Sequence, residues 1–108
     1  MEDFGINEML KMQEILQEKY KDLWKPISPD RGKDQLLWMI GEIGEVIDII
    51  KKHGSEAVSQ DAGLRTELIE ELADVLMYYN DILLCYDISA EELKRSYTGK
   101  FEKNMKRW

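Results

Sequence analysis

The sequence is nearly empty of the residues that most often announce a fold or a site. Its 108 residues contain one cysteine, Cys85, so no internal disulfide framework can form, and the expected compartment is the reducing cytoplasm. The only histidine is His53, which rules against the paired Glu-x-x-His motifs with which helical bundles hold di-iron centres. Its place in a last helical turn with Lys51 and Lys52 reads as dipole complementation, not ligation. The two prolines, Pro26 and Pro29, fall in one short stretch with Gly32 and must interrupt a helix there. Positive charge is scarce: 15 Lys and Arg against 22 Asp and Glu leave a net charge of −7. That balance excludes broad binding to a nucleic acid polymer, whose affinity comes from Lys and Arg displacing counterions. No apolar run approaches the roughly 20 residues of a membrane helix, so no membrane partner is expected. The acidic start, Met1-Glu2-Asp3-Phe4, is unlike a secretory leader.

What is present is helical periodicity, with acids set inside it. At 44% hydrophobic residues the chain has enough for one core, and positions 1–108 read as a single domain. Ile6, Met9, Leu10, Leu16, Tyr20 and Leu23 give a first amphipathic helix over about 6–24. A loop over 25–32 follows. Trp24, Lys25, Arg31 and Lys33 surround it, as a packed surface loop or as the wall of a site for an anionic, aromatic ligand. A second helix runs from about Lys33 to His53 and stops at Gly54, with Met39, Ile40, Ile43, Val46, Ile47 and Ile50 as its core stripe. The small, polar stretch 54–63 reads as a connecting loop, with or without a partial turn. A third helix over about 64–86 buries Leu68, Leu72, Val75, Leu76, Tyr79, Ile82 and Leu83. Ser89-Ala90-Glu91-Glu92 is a capping box opening a fourth helix, whose stripe is Leu93, Tyr97, Phe101, Met105 and Trp108. No strand pattern occurs, so the fold class is all-α, bundle-like, with four helices.

Two acidic pairs of one spacing, Glu42-x-x-Glu45 and Glu71-x-x-Asp74, border the stripes of the second and third helices. Residues three apart on a helix are neighbours, so each pair projects two carboxylates from one patch. An antiparallel hairpin of the two helices brings the pairs together, and Glu67, Tyr78 and Asp81 extend the second one. Either both pairs are solvated, or a cation sits between them. Converging carboxylates suit Mg²⁺ or Mn²⁺, which take oxygen ligands and are commonly completed by substrate phosphates. In two-metal chemistry such ions activate water and stabilise a leaving oxygen.

Glu42-Ile43-Gly44-Glu45-Val46 with a lysine at 51 or 52, followed by Glu71-Leu72-Ala73-Asp74-Val75-Leu76-Met77-Tyr78, resembles the MazG family of all-α nucleoside triphosphate pyrophosphohydrolases. Ile88-Ser89-Ala90-Glu91-Glu92-Leu93, leading to Lys100, Asn104 and Arg107, is similar to that family's closing helix, so the likeness spans about 33–108. The resemblance implies Mg²⁺-dependent hydrolysis of an NTP or dNTP to the monophosphate and pyrophosphate, in a homodimer or homotetramer. It implies Glu42, Glu45, Glu71 and Asp74 as metal-ligating and catalytic residues. Substrate contacts would come from Trp38, Tyr78, Lys52, Lys100, Asn104 and Arg107, the last three from the same or a neighbouring subunit. Trp38 and Tyr78 could equally be packing residues. The competing reading is a non-catalytic helical interaction module with a solvated acidic face.

Overall fold

A computed structural model describes residues 3–107 and contains five α-helices and no strand among them. They are α1 (Ile6–Lys19), α2 (Pro29–His53), α3 (Ser55–Gln60), α4 (Ala62–Cys85) and α5 (Ala90–Arg107). Trp108, expected at the end of the last stripe, lies outside the described residues, as do Met1 and Glu2 of the acidic start. No described helix is long and apolar enough to cross a membrane.

The boundaries shift from the periodic pattern for local reasons. Helix α1 gives way at Tyr20 to a turn in which the Leu23 and Trp24 amides both donate to the Tyr20 carbonyl, and Pro26 then disfavours a return to helix at Lys25. The Trp24 ring then lies 4.7 Å from that of Tyr20, centroid to centroid. Helix α2 starts four residues earlier than the expected Lys33, because extended Ser28 precedes Pro29, whose fixed φ suits a first helical position. Gly32 is therefore inside the helix. Its role is close approach, since a side chain there would overlap the Tyr86 ring at the end of α4. The 54–63 connection is itself partly helical: Gly54 turns with φ 87°, and α3 buries Val58. Asp61 then caps α4 by accepting from the Leu64 amide at 2.9 Å.

The α2–α4 antiparallel pair is the frame of the molecule. Helix α1 packs on α4, α3 closes the end of the pair, and α5 packs against α1 alone. Asp87, with φ 53°, ends α4 in a Schellman motif, the Ile88 amide donating to Leu83 and the Asp87 amide to Leu84. The Ser89–Glu92 box then opens α5 as expected, the Glu92 amide donating to Ser89 Oγ at 3.1 Å.

The apolar stripes are less buried than their periodicity predicts. Leu10, Val46, Val58, Leu83 and Cys85 are buried, but Ile40, Ile43 and Ile47 on α2 and Leu72 and Leu76 on α4 are exposed. Helix α5 buries nothing, and Tyr97, Phe101 and Met105 all face solvent. The radius of gyration, 16.3 Å, exceeds the ~13 Å of a compact domain of about this length. Periodicity identifies a helix's apolar face, whereas its cover depends on what packs there.

Candidate metal and nucleotide site

The mid-length register of α2 against α4 brings Glu42, Glu45 and Glu71 together, with one carboxylate oxygen from each lying within 4.8 Å of the others. Glu45 is exposed, and Glu42 and Glu71 are half-buried. One oxygen of each half-buried acid, Oε2, is sealed from solvent and has no hydrogen-bond partner. Leaving a buried acceptor unsatisfied costs about 1–3 kcal/mol, more for a charged group. A solvated acidic face would carry no such penalty.

Burial is the main reason that the Glu42 and Glu71 carboxyls sit above their ordinary range, and the adjacent Glu45 carboxylate and the charge of Asp74 push them further. Three acids that repel, two of them partly dehydrated, describe a site whose charge is uncompensated among the described residues. The donor set is all oxygen, which fits a hard divalent cation. Asp74 stands outside the 4.8 Å group, close enough to act on Glu42 and Glu71, and it lines the neighbouring cavity.

That cavity, about 760 Å³, lies within the 300–1,000 Å³ typical of small-molecule sites. Asp74, Tyr78 and Trp38 face it, and Trp24 and Lys25 from the connection between α1 and α2 join them, with Arg31 from the first turn of α2. The aromatic and basic loop therefore borders a cavity, although Lys33 does not line it. The Arg31 guanidinium donates to the Lys25 carbonyl, tying the first turn of α2 to the connection before it. Burial, and then the charges of Glu42, Asp81 and Asp74, hold the Tyr78 phenol above its usual range, so it stays protonated and able to donate.

The remaining expected contacts are elsewhere in the subunit. Lys52 is exposed in the last turn of α2 and does not line this cavity. Lys100, Asn104 and Arg107 are exposed on α5, which packs on neither α2 nor α4 and contributes nothing to the cavity wall.

Three glutamines stand at the site without any motif that marks them in the sequence. Gln13 and Gln17 on α1 donate their amide nitrogens to Asp81 Oδ1 at 2.9 and 3.4 Å, and all three residues line the cavity with Gln35. A signal existed for two of them. Gln13 follows Leu10 by three on the face of α1 that packs inward, and Gln35 extends the Trp38, Glu42, Glu45 track by one turn toward the helix start.

Fold and site together define an all-α domain with a carboxylate cluster beside a nucleotide-sized cavity. The model of the MazG nucleotide pyrophosphohydrolase domain matches residues 32–107, and the chain belongs to this family. Membership points to nucleotide pyrophosphohydrolase activity. No curated protein and no solved structure matches the chain.

Proposed function

We propose that this protein is a Mg²⁺-dependent pyrophosphohydrolase that cleaves an NTP or dNTP, canonical or not, to the nucleoside monophosphate and pyrophosphate. The observation that carries the reading is the pair of sealed, unpartnered oxygens on Glu42 and Glu71 beside a cavity of nucleotide size. Glu42, Glu45 and Glu71 would hold the metal, with Asp74 between the cluster and the substrate. Bound there, Mg²⁺ or Mn²⁺ supplies positive charge for the triphosphate oxygens and lowers the pKa of a coordinated water.

The chain's own residues do the rest. A carboxylate of the cluster accepts the proton of the attacking water. The water oxygen bonds to the α-phosphorus as the bond from that phosphorus to the α–β bridging oxygen breaks, and pyrophosphate leaves with the electron pair. Tyr78 orients the nucleotide through its hydroxyl, and Trp38 offers a ring for the base. Lys52, Lys100, Asn104 and Arg107 would meet phosphates only from a neighbouring subunit or after assembly.

The same reading makes the protein a homo-oligomer, dimer or tetramer. Leu36, Ile40, Ile43 and Ile47 form an exposed stripe on α2, and Ile69, Leu72 and Leu76 form another on α4. Contiguous apolar surface of this kind is characteristic of subunit interfaces. Light scattering of the purified protein tests this, a monomer at micromolar concentration being the adverse result.

Pyrophosphate release from a panel of NTPs and dNTPs with Mg²⁺ or Mn²⁺ tests the activity. Turnover of at least one member, lost on Glu45→Ala or Asp74→Ala, is expected. No turnover of any member, with Mg²⁺-induced stabilisation unaffected by either substitution, would sink the proposal.

A further inference from the structure

One wall of the cavity comes from a part of the chain to which family membership assigns no role. Gln13, Leu16, Gln17, Trp24, Lys25 and Arg31 all line it, and all precede residue 32, where the family match begins. The wall starts with α1, whose 14 residues are marginal as a helix on their own. Helix α1 buries only Leu10 and Gln13, so little apolar contact fixes its position on α4. Directional bonds do more. The Gln13 amide nitrogen donates to the buried Asp81 Oδ1 at 2.9 Å, and that of Gln17 donates to the same oxygen at 3.4 Å. From this latch the path to Trp24 is short and stiff. Tyr20, three residues past Gln17, accepts the Leu23 and Trp24 amides on its carbonyl and supports the Trp24 ring at 4.7 Å. From the other side the Arg31 guanidinium holds the Lys25 carbonyl. Pinned in this way, Trp24 still leaves 41% of its surface exposed, and it lines the cavity together with Trp38 of α2.

Given that the cavity is a nucleotide site, as proposed above, we propose that Trp24 stacks on the base and that Gln13, Gln17 and Asp81 are positioning residues that hold it there. An exposed indole already supported by Tyr20 offers a base a flat surface without the cost of ordering a loop at binding. Stacking is tolerant of base identity, because every base has a π-face, so the latch governs affinity and not the choice among bases. Loss of the latch frees α1 to shift and takes the ring out of register, whereas the acids on α2 and α4 stay in place. Nucleotide affinity therefore depends on α1, and Mg²⁺ binding does not.

The test is calorimetric binding of the common ribo- and deoxyribonucleoside monophosphates to the full chain with Mg²⁺, the tightest of them being carried into a double-mutant cycle. Trp24→Ala should weaken it roughly tenfold, the loss of one base–aromatic stack. Gln13→Leu, acting through the same ring, should cost as much or less, and the double variant no more than Trp24→Ala alone. Asp81→Asn, which keeps an oxygen for the two amides, should stay within about twofold of wild type. Mg²⁺-induced stabilisation should be the same in all of them. Val58→Ala, which loosens the buried contact of α3, should lower the melting temperature and leave affinity unchanged, the pattern that a merely structural role for Gln13 would also give. Losses that multiply in the double variant, full affinity in Trp24→Ala or Gln13→Leu, or no binding of any monophosphate overturns the inference. Gln17→Leu takes the place of Gln13→Leu in the cycle if the latter does not fold. Coupled losses without triphosphate turnover would uphold this inference and remove the activity proposed above. Turnover with independent losses would do the reverse.

Discussion

Helix α4 carries two kinds of inward-facing acid, and they are treated in opposite ways. Asp81 is buried, and α1 supplies Gln13 and Gln17 to its Oδ1. Glu71 has a sealed oxygen that nothing in the chain satisfies, and its nearest neighbours are the acids Glu42 and Glu45. Burial pushes both carboxyls above their ordinary values, but hydrogen bonds from the glutamines oppose the shift at Asp81, whereas like charges reinforce it at Glu71. Polar groups buried for structure are ordinarily satisfied by the protein. One left unsatisfied among like charges marks a place kept for something else.

The contrast is broken most severely by removing a carboxylate from the cluster. Glu71→Gln or Glu42→Gln is expected to lower pyrophosphate release at least about a hundredfold, since an ion that supplies several kcal/mol of transition-state stabilisation loses a ligand. Without metal the same variants should melt at or above the wild-type temperature, because a repulsive group is gone. A melting temperature several degrees lower would make Glu71 a structural acid like Asp81.

Asp81→Ala should do the opposite. It strands two amide nitrogens near α1, and a cost of about 1–3 kcal/mol is expected, or roughly 4–20 °C in melting temperature for a chain of this length. Thermal denaturation at fixed protein concentration checks it. Asp81→Asn, which keeps an acceptor oxygen, should cost distinctly less. Equal losses for the two variants would show that the Gln13 contact contributes little.

Acidity separates the two acids further. Glu42, Glu71 and Asp81 all bind protons more tightly folded than at their ordinary values of 4.5, 4.5 and 3.8. Their protonated forms therefore favour folding. That contribution is complete below the ordinary values and is lost as pH rises through the raised folded ones. Metal-free protein should melt higher near pH 5 than near pH 7.5, with Mg²⁺ stabilising at the higher pH only while the cluster is intact. Melting curves at the two pH values, with and without Mg²⁺ and in Glu71→Gln, give the comparison. A metal-free protein that is more stable at the higher pH contradicts it.

The smallest effect concerns the turn after this helix. Asp87 occupies left-handed backbone at the Schellman position that glycine favours. Asp87→Gly should stabilise by up to about 1 kcal/mol, read as a melting temperature a few degrees higher with turnover unchanged. A fall would mean that the Asp87 side chain contributes a contact of its own.

Much of this was legible in the residues. The capping box and the Gly54 stop depend on spacing within one helix, and each is found as expected in local structure; of the two acidic pairs, Glu42, Glu45 and Glu71 converge while Asp74 stands outside the group. The onset of α2 at Pro29 was also encoded, but Gly32 suggested a loop where the real constraint was the Tyr86 ring approaching from the other end of α4. Helix α3 was hidden because a short helix has too few turns to display a period. Spacing places Gln13 and Gln35 on helix faces, but an amide on a helix border has no assignable role until its partner is known.

By itself, then, the sequence determined the four long helices, their apolar faces and the two acid pairs, since these follow from a period of 3.6 residues and the chemistry of single side chains. Only the tertiary structure decided that Glu42, Glu45 and Glu71 converge and that two of their oxygens lose water. It alone set Asp81 against α1, left the α5 stripe uncovered and gave Gln35 no donor. Those outcomes depend on which residues distant in the chain become neighbours, and hydration and hydrogen bonding are properties of neighbours.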